Sequence, residues 1–99
     1  MSVIIEGFQI LEHPESKSID YHAMVTLTVS ATGPGTLSYK WKRDKADIND
    51  EDYMGTDEPI LTIRSFSPVK HEGYYYCEIC HDQTIIESKT AKLVLSKFN

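Results

Sequence analysis

Gly73-Tyr74-Tyr75-Tyr76-Cys77 decides how this chain is read. Three aromatic residues ahead of a cysteine suit extended backbone, where rings pack on a pleated surface. Strand alternation then sends Tyr75 and Cys77 to one face and Tyr74, Tyr76, Glu78 and Cys80 to the other. Upstream, Leu37-Ser38-Tyr39-Lys40-Trp41-Lys42 alternates in the same way, with Leu37, Tyr39 and Trp41 inward and Ser38, Lys40 and Lys42 outward. Before it, Val25-Thr26-Leu27-Thr28-Val29-Ser30 repeats the pattern inside a strand expected over 22–31. Leu61 and Ile63 in Ile60-Leu61-Thr62-Ile63-Arg64, and Ala91, Leu93 and Leu95 in a last strand over 85–95, complete a buried set.

The segments between these runs read as connections. Phe8-Gln9-Ile10-Leu11-Glu12 is a first strand that kinks near His13-Pro14, because proline is tolerated only at a strand edge or bulge. Thr32-Gly33-Pro34-Gly35 is a turn by composition. The acidic stretch from Asp44 to Glu58 is a loop with one or two short edge strands, and Phe66, Pro68 and Val69 make a helical or turn-like crossing. His81-Asp82-Gln83-Thr84 is a hairpin tip. Seven to eight short strands at this spacing predict an all-β sandwich of two antiparallel sheets with Greek-key connections, one domain over 7–96.

Composition agrees with that reading and excludes several functions. The chain has 99 residues, 40% hydrophobic and 25% charged, which is ordinary globular material. Its apolar runs are a few residues long, against the roughly 20 that span a bilayer. A net charge of −5 argues against nucleic acid and against anionic membrane, since phosphate surfaces call for clustered Lys and Arg. Met1-Ser2-Val3-Ile4-Ile5-Glu6-Gly7 has neither the basic flank nor the apolar centre of a secretory signal. Asn49, followed by Asp50 and Glu51, and the terminal Asn99 give no glycosylation acceptor.

The order of an alternating strand, Trp41, Leu61-Thr62-Ile63, Gly73-Tyr74-Tyr75-Tyr76-Cys77 and Leu93-Val94-Leu95 resembles the immunoglobulin superfamily, and the short span from Val29 to Cys77 resembles its I-set. The resemblance covers about Phe8 to Leu95 and implies a tyrosine corner at Tyr75 and a core of Val29, Trp41, Leu61, Tyr75, Cys77 and Leu93. Two positions depart from the family pattern. Val29 stands where the first cysteine of the inter-sheet disulfide is usual, so that bridge cannot form. His71 stands where an aspartate usually makes a salt bridge across the bottom of the sandwich. On the chain-entropy view, a bridge closing the loop between residues 29 and 77 would stabilise by roughly 4 kcal/mol, so the core must supply that difference. A disulfide-free sandwich suits a reducing compartment, and the resembling modules of muscle filament proteins and of the paracaspase imply an intracellular (cytoplasmic) setting, with an extracellular one as the alternative, since some extracellular members of the family also lack the bridge.

Cys77 and Cys80 cannot pair in a regular strand, where three residues separate their Cα atoms by about 10 Å, beyond the roughly 7 Å limit. Cys77-Glu78-Ile79-Cys80-His81 matches the attachment pattern of c-type haem, but a strand sends its thiols to opposite faces; haem or redox work is therefore the remote alternative. His13, His22 and His71 lack the paired spacing of a second zinc ligand set, and Asp50-Glu51-Asp52-Tyr53-Met54-Gly55 lacks a calcium-loop core. No nucleophile elbow, phosphate-binding loop or metalloprotease motif is present. The expectation is therefore a non-enzymatic domain without cofactor, either a protein-interaction module or a spacer in a tandem array, as monomer or weak homodimer. Lys40, Lys42, Tyr74, Tyr76, Glu78 and Cys80 form the candidate partner surface, joined by Lys92 and Val94, with Ile85 of the hairpin as a second contact.

Overall fold

The computed structural model describes residues 8–48 and 51–96; Gly7, the expected first residue of the domain, and Asn49 and Asn99 lie outside them. The described residues form eleven strand segments and one short helix: β1 (Gln9–Glu12), β2 (Lys17–Ile19), β3 (Val25–Thr28), β4 (Ser30–Thr32), β5 (Ser38–Arg43), β6 (Ala46–Asp47), β7 (Tyr53–Met54), β8 (Ile60–Ile63), α1 (Pro68–His71), β9 (Gly73–His81), β10 (Thr84–Glu87) and β11 (Ala91–Leu95). One layer carries β3-β8-β7 and, through the continuation of β3 into β4, the pair β1-β4. The other runs β2-β11-β9-β5-β6, with β10 also on β9. The inward residues of both layers merge into one core, as alternation requires.

Val29, Trp41, Leu61, Tyr75, Cys77 and Leu93 are each at most 1% exposed, as expected of the core. Phe66 and Ile79 join them, both fully buried. Trp41 is held as well as packed: its indole N–H donates to the Glu58 carbonyl (2.7 Å), and its main-chain N–H donates to the Thr56 carbonyl (2.8 Å). The turn that delivers those carbonyls depends on Gly55, at φ +76°, where a Cβ would stand 2.2 Å from the Ile60 carbonyl oxygen. Tyr75 donates its hydroxyl to the carbonyl of His71, four residues upstream, at 2.7 Å, and lies 2.7 Å from the Tyr53 hydroxyl.

His71 is itself buried. Its Nδ1 accepts the Ser67 N–H (2.9 Å), which fixes the tautomer so that the Nε2 proton faces the Asp52 carboxylate at 3.3 Å. The acid that the family pattern places at position 71 is thus supplied from the far side, by Asp52 just before β7. The carboxylate changes sides, and the link is kept as a hydrogen bond.

The kink after β1 carries the chain between layers. Pro14 is buried there; His13 Nδ1 accepts the Lys89 N–H (3.0 Å), and Ser16 Oγ accepts the Lys92 N–H (2.8 Å). β1 therefore pairs with β4 in one layer and β2 with β11 in the other. The β2–β11 pairing is parallel, a refinement of the wholly antiparallel sheets expected; every other pairing is antiparallel.

Two strand boundaries differ from expectation. The second strand begins at Val25 and not at His22, because the Ala23 N–H closes a turn on the Asp20 carbonyl (3.1 Å) and His22 takes φ +70°. The last strand is not continuous over 85–95 but breaks at Ser88-Lys89-Thr90. The Ser88 hydroxyl accepts the Cys77 N–H (2.9 Å) and donates to the Lys89 carbonyl (2.9 Å), replacing a main-chain bond and releasing the strand from register.

Candidate functional site

The outward face of the larger sheet is set by the register of β9. On one side Tyr76 lies opposite Lys42, Glu78 opposite Lys40 and Cys80 opposite Ser38. On the other Tyr74 lies opposite Lys92, Glu78 opposite Glu87 and Cys80 opposite Ile85. All nine residues expected to meet a partner, Val94 by its alternation from Lys92, therefore share one face. They divide between its two ends: Tyr74, Tyr76 and Lys42 cluster near α1, while Cys80 and Ile85 sit near the hairpin tip. Ile85 is 57% exposed and Tyr74 52%.

The tyrosine end is a cleft of about 510 Å³ lined by Asp44, Lys45, Tyr74, Tyr76 and Thr90. One wall is the tight turn joining β5 to β6, where Asp44 and Lys45 take φ +51° and +70°, the left-handed pair that matches a twisted two-residue hairpin. Asp44 Oδ1 accepts the Tyr74 N–H at 3.0 Å, fastening the turn to β9. Gly73 permits this approach, since a Cβ there would lie 2.9 Å from Asp44 Oδ2 and 3.0 Å from Arg43 Nε. The Lys92 ammonium sits 5.6 Å from the centre of the Tyr74 ring, a cation–π contact.

Charges on this face are largely matched. Lys42 bonds Asp47 and lies 4.0 Å from Glu78, and Lys40 lies 3.4 Å from Asp47. Donating to Asp47 raises the Lys42 pKa, and the bonds from Lys42 and then Lys40 hold the Asp47 carboxyl below the ordinary carboxylate range. Partial burial, then the Glu87 and Glu78 carboxylates, push the Tyr76 phenol up, so its ring stays neutral and hydrogen-bond competent. The face offers rings and paired charges. Asp44, Lys45, Asp47, Glu87 and Thr90 escaped the sequence reading; the signal for the first two was Gly73, whose lack of a side chain lets the β5–β6 turn close onto β9.

The two thiols stand apart in environment. Cys77 is buried, and burial pushes its thiol up to about 12. Cys80 is half-buried on the outer face. The Cys77-Glu78-Ile79-Cys80-His81 motif is therefore split across one sheet and cannot converge on a porphyrin face. Among the described residues no group of three or more His, Cys, Asp or Glu side chains is arranged to hold a metal, and no helix is long and apolar enough to cross a membrane.

No family model matches the chain. A curated mouse protein, the mucosa-associated lymphoid tissue lymphoma translocation protein 1 homolog, is 26% identical over 89 residues; the match covers 90% of this chain, which spans 10% of that protein's length. Among solved structures, the N-terminal Ig1-2 module of the Drosophila receptor protein tyrosine phosphatase DLAR superposes with a TM-score of 0.81 at 20% identity, over 91% of this chain and 46% of that one. The titin domains z1z2, solved in complex with telethonin, superpose with a TM-score of 0.75 at 22% identity, over 90% and 46%. The chain has the immunoglobulin-like fold, in a form without the inter-sheet disulfide.

Proposed function

We propose that this chain is a non-enzymatic protein-interaction module of a larger protein, a single domain over 7–96, which binds its partner through the Tyr74–Tyr76 cleft. The observation that carries this reading is the cleft itself: two outward tyrosines, braced by the Asp44-Lys45 turn, beside matched charges. Tyrosine gives large, stiff contact area at low entropic cost, and such anchors dominate interface energy. The partner surface extends over Lys40, Lys42 and Glu78.

The test is affinity capture with the folded chain, a Tyr74→Ala/Tyr76→Ala variant, and a Met24→Ala control on the opposite layer, with folding verified by thermal melts. A partner recovered by the chain and the control but lost with the tyrosine variant supports the reading. Equal recovery by all three overturns it. A second reading, a spacer in a tandem array, is favoured by the tandem Ig modules among the solved neighbours. It requires the tyrosine variant to be neutral and end-to-end contacts near Phe8 to carry the role.

A further inference from the structure

Among the described residues β10 has an open outer edge. Asp82-Gln83 joins β9 to β10 as a two-residue hairpin, with His81 opposite Thr84 and Ile79 opposite Ile86. In such a hairpin the pair flanking the turn, and every second pair after it, exchange hydrogen bonds. The Ser88 N–H bond to the Cys77 carbonyl continues that alternation. The main-chain N–H and C=O groups of Ile85 and Glu87 therefore point away from β9. Among the described residues no strand meets them, since β2 pairs only with β11, across Leu93–Leu95.

Several other edges in the described residues are blunted. β1 is bulged between Ile10 and Glu12 and runs into Pro14, β6 and β7 are two residues each, and β2 carries Lys17. These are the usual guards against strand addition. β10, Thr84-Ile85-Ile86-Glu87, has no proline, lysine or bulge, and it shows Ile85 to solvent.

Charge decides what fits. Glu87 lies directly opposite Glu78, an unfavourable like-charge pair. Lys42 answers Glu78, whereas Glu87 has no ion pair among the described residues. A second copy of β10 brings no cation to meet it. We infer that β10 accepts an extended segment of a protein partner as an added strand, with an apolar residue beside Ile85 and a lysine or arginine two positions away beside Glu87. This rests on the interaction-module reading but on a different surface from the tyrosine cleft.

The probe is the end-capped peptide Thr-Lys-Thr-Val-Thr-Lys-Thr, whose symmetry serves either strand direction, titrated to millimolar levels against the ¹⁵N-labelled chain. Amide shifts centred on Ile85 and Glu87 are expected, and the peptide with both lysines replaced by glutamate should bind about threefold or more weakly. Glu87→Lys, a fully surface change, should reverse that order. Absence of shifts, equal binding of the two peptides, or concentration-dependent shifts at Ile85 without peptide each overturn the proposal. Shifts confined to Tyr74 and Tyr76 sink the edge while leaving the module reading intact.

Discussion

Tyr75→Phe removes one oxygen atom and tests what ties α1 to the core. The Tyr75 hydroxyl is fully buried, donates to the His71 carbonyl at 2.7 Å and faces the Tyr53 hydroxyl at 2.7 Å. Phenylalanine keeps the ring, so there is no cavity of consequence; what changes is a buried carbonyl left without its donor. Water cannot replace it in a fully packed site, and an unsatisfied buried polar group costs about 1–3 kcal/mol, so the expected loss is about 2 kcal/mol. Against a total of about 5–15 kcal/mol this is a large fraction. In urea, with a slope of about 1–2 kcal/mol/M, the midpoint should fall by roughly 1–2 M at unchanged slope. The same bond predicts a pH signature. Burial first, and Tyr53 second, raise the Tyr75 pKa above its ordinary 10.0, so the neutral phenol is favoured by folding. That contribution is fully present below the unfolded value and is lost as pH rises toward the folded one, so alkaline destabilisation above about pH 10 should be shallower in Tyr75→Phe. A midpoint shift under about 0.3 M would refute the reasoning, since the hydroxyl would then contribute less than an average exposed bond.

His71→Ala should cost about 2–4 kcal/mol in the same assay, because it opens a cavity between Tyr53 and Phe66 and strands the buried-side Ser67 N–H; a loss under 1 kcal/mol, on the order of a surface change, would contradict the placement. Thiol titration of the native chain should find one reactive group, Cys80, with Cys77 appearing only on unfolding, since burial holds its thiol near 12; two fast thiols would show the core open. Val29→Cys should form a bridge to Cys77 under oxidising conditions and raise stability by up to about 4 kcal/mol, read as a reductant-sensitive melting temperature. No bridge, or a lower melting temperature, would mean that Val29 and Cys77 do not face each other across the layers.

Alternation carried most of the fold into view. Val29, Trp41, Leu61 and Leu93 were legible because each lies on a period-two run, where a single buried side is all that the pattern can specify, whereas at Tyr75 and Cys77 both faces carry aromatic residues or thiols and the family resemblance chose the buried one. The kink at His13-Pro14 was legible because proline has no N–H to give. The break at Ser88 was not, since it depends on one hydroxyl replacing one main-chain acceptor, and serine occurs in unbroken strands as readily. His71 was visible only as a missing aspartate. That Asp52 restores the link from the other side follows from the arrival of β7 beneath α1, a long-range fact that no local pattern carries.

The candidate surface was half legible for a related reason. Parity gives the face of a residue but not its neighbours across the sheet. Tyr74 and Tyr76 were assigned outward, and one of Ile85 and Ile86 had to be, the structure exposing Ile85; yet whether they act together depends on which strands lie beside β9 at each level. Near α1 those neighbours are β5, its turn to β6, and β11, and they enclose the tyrosines in a cleft. Near the hairpin tip they are β5 and β10, and among the described residues no strand pairs with the far side of β10. The break at Ser88 falls between these two levels. Had the strand continued unbroken, β2 and the chain before it could have run alongside its whole length and closed the edge. Because β2 joins from Leu93 onward, the break at Ser88 coincides with the level at which, among the described residues, no strand lies beside Ile85 and Glu87.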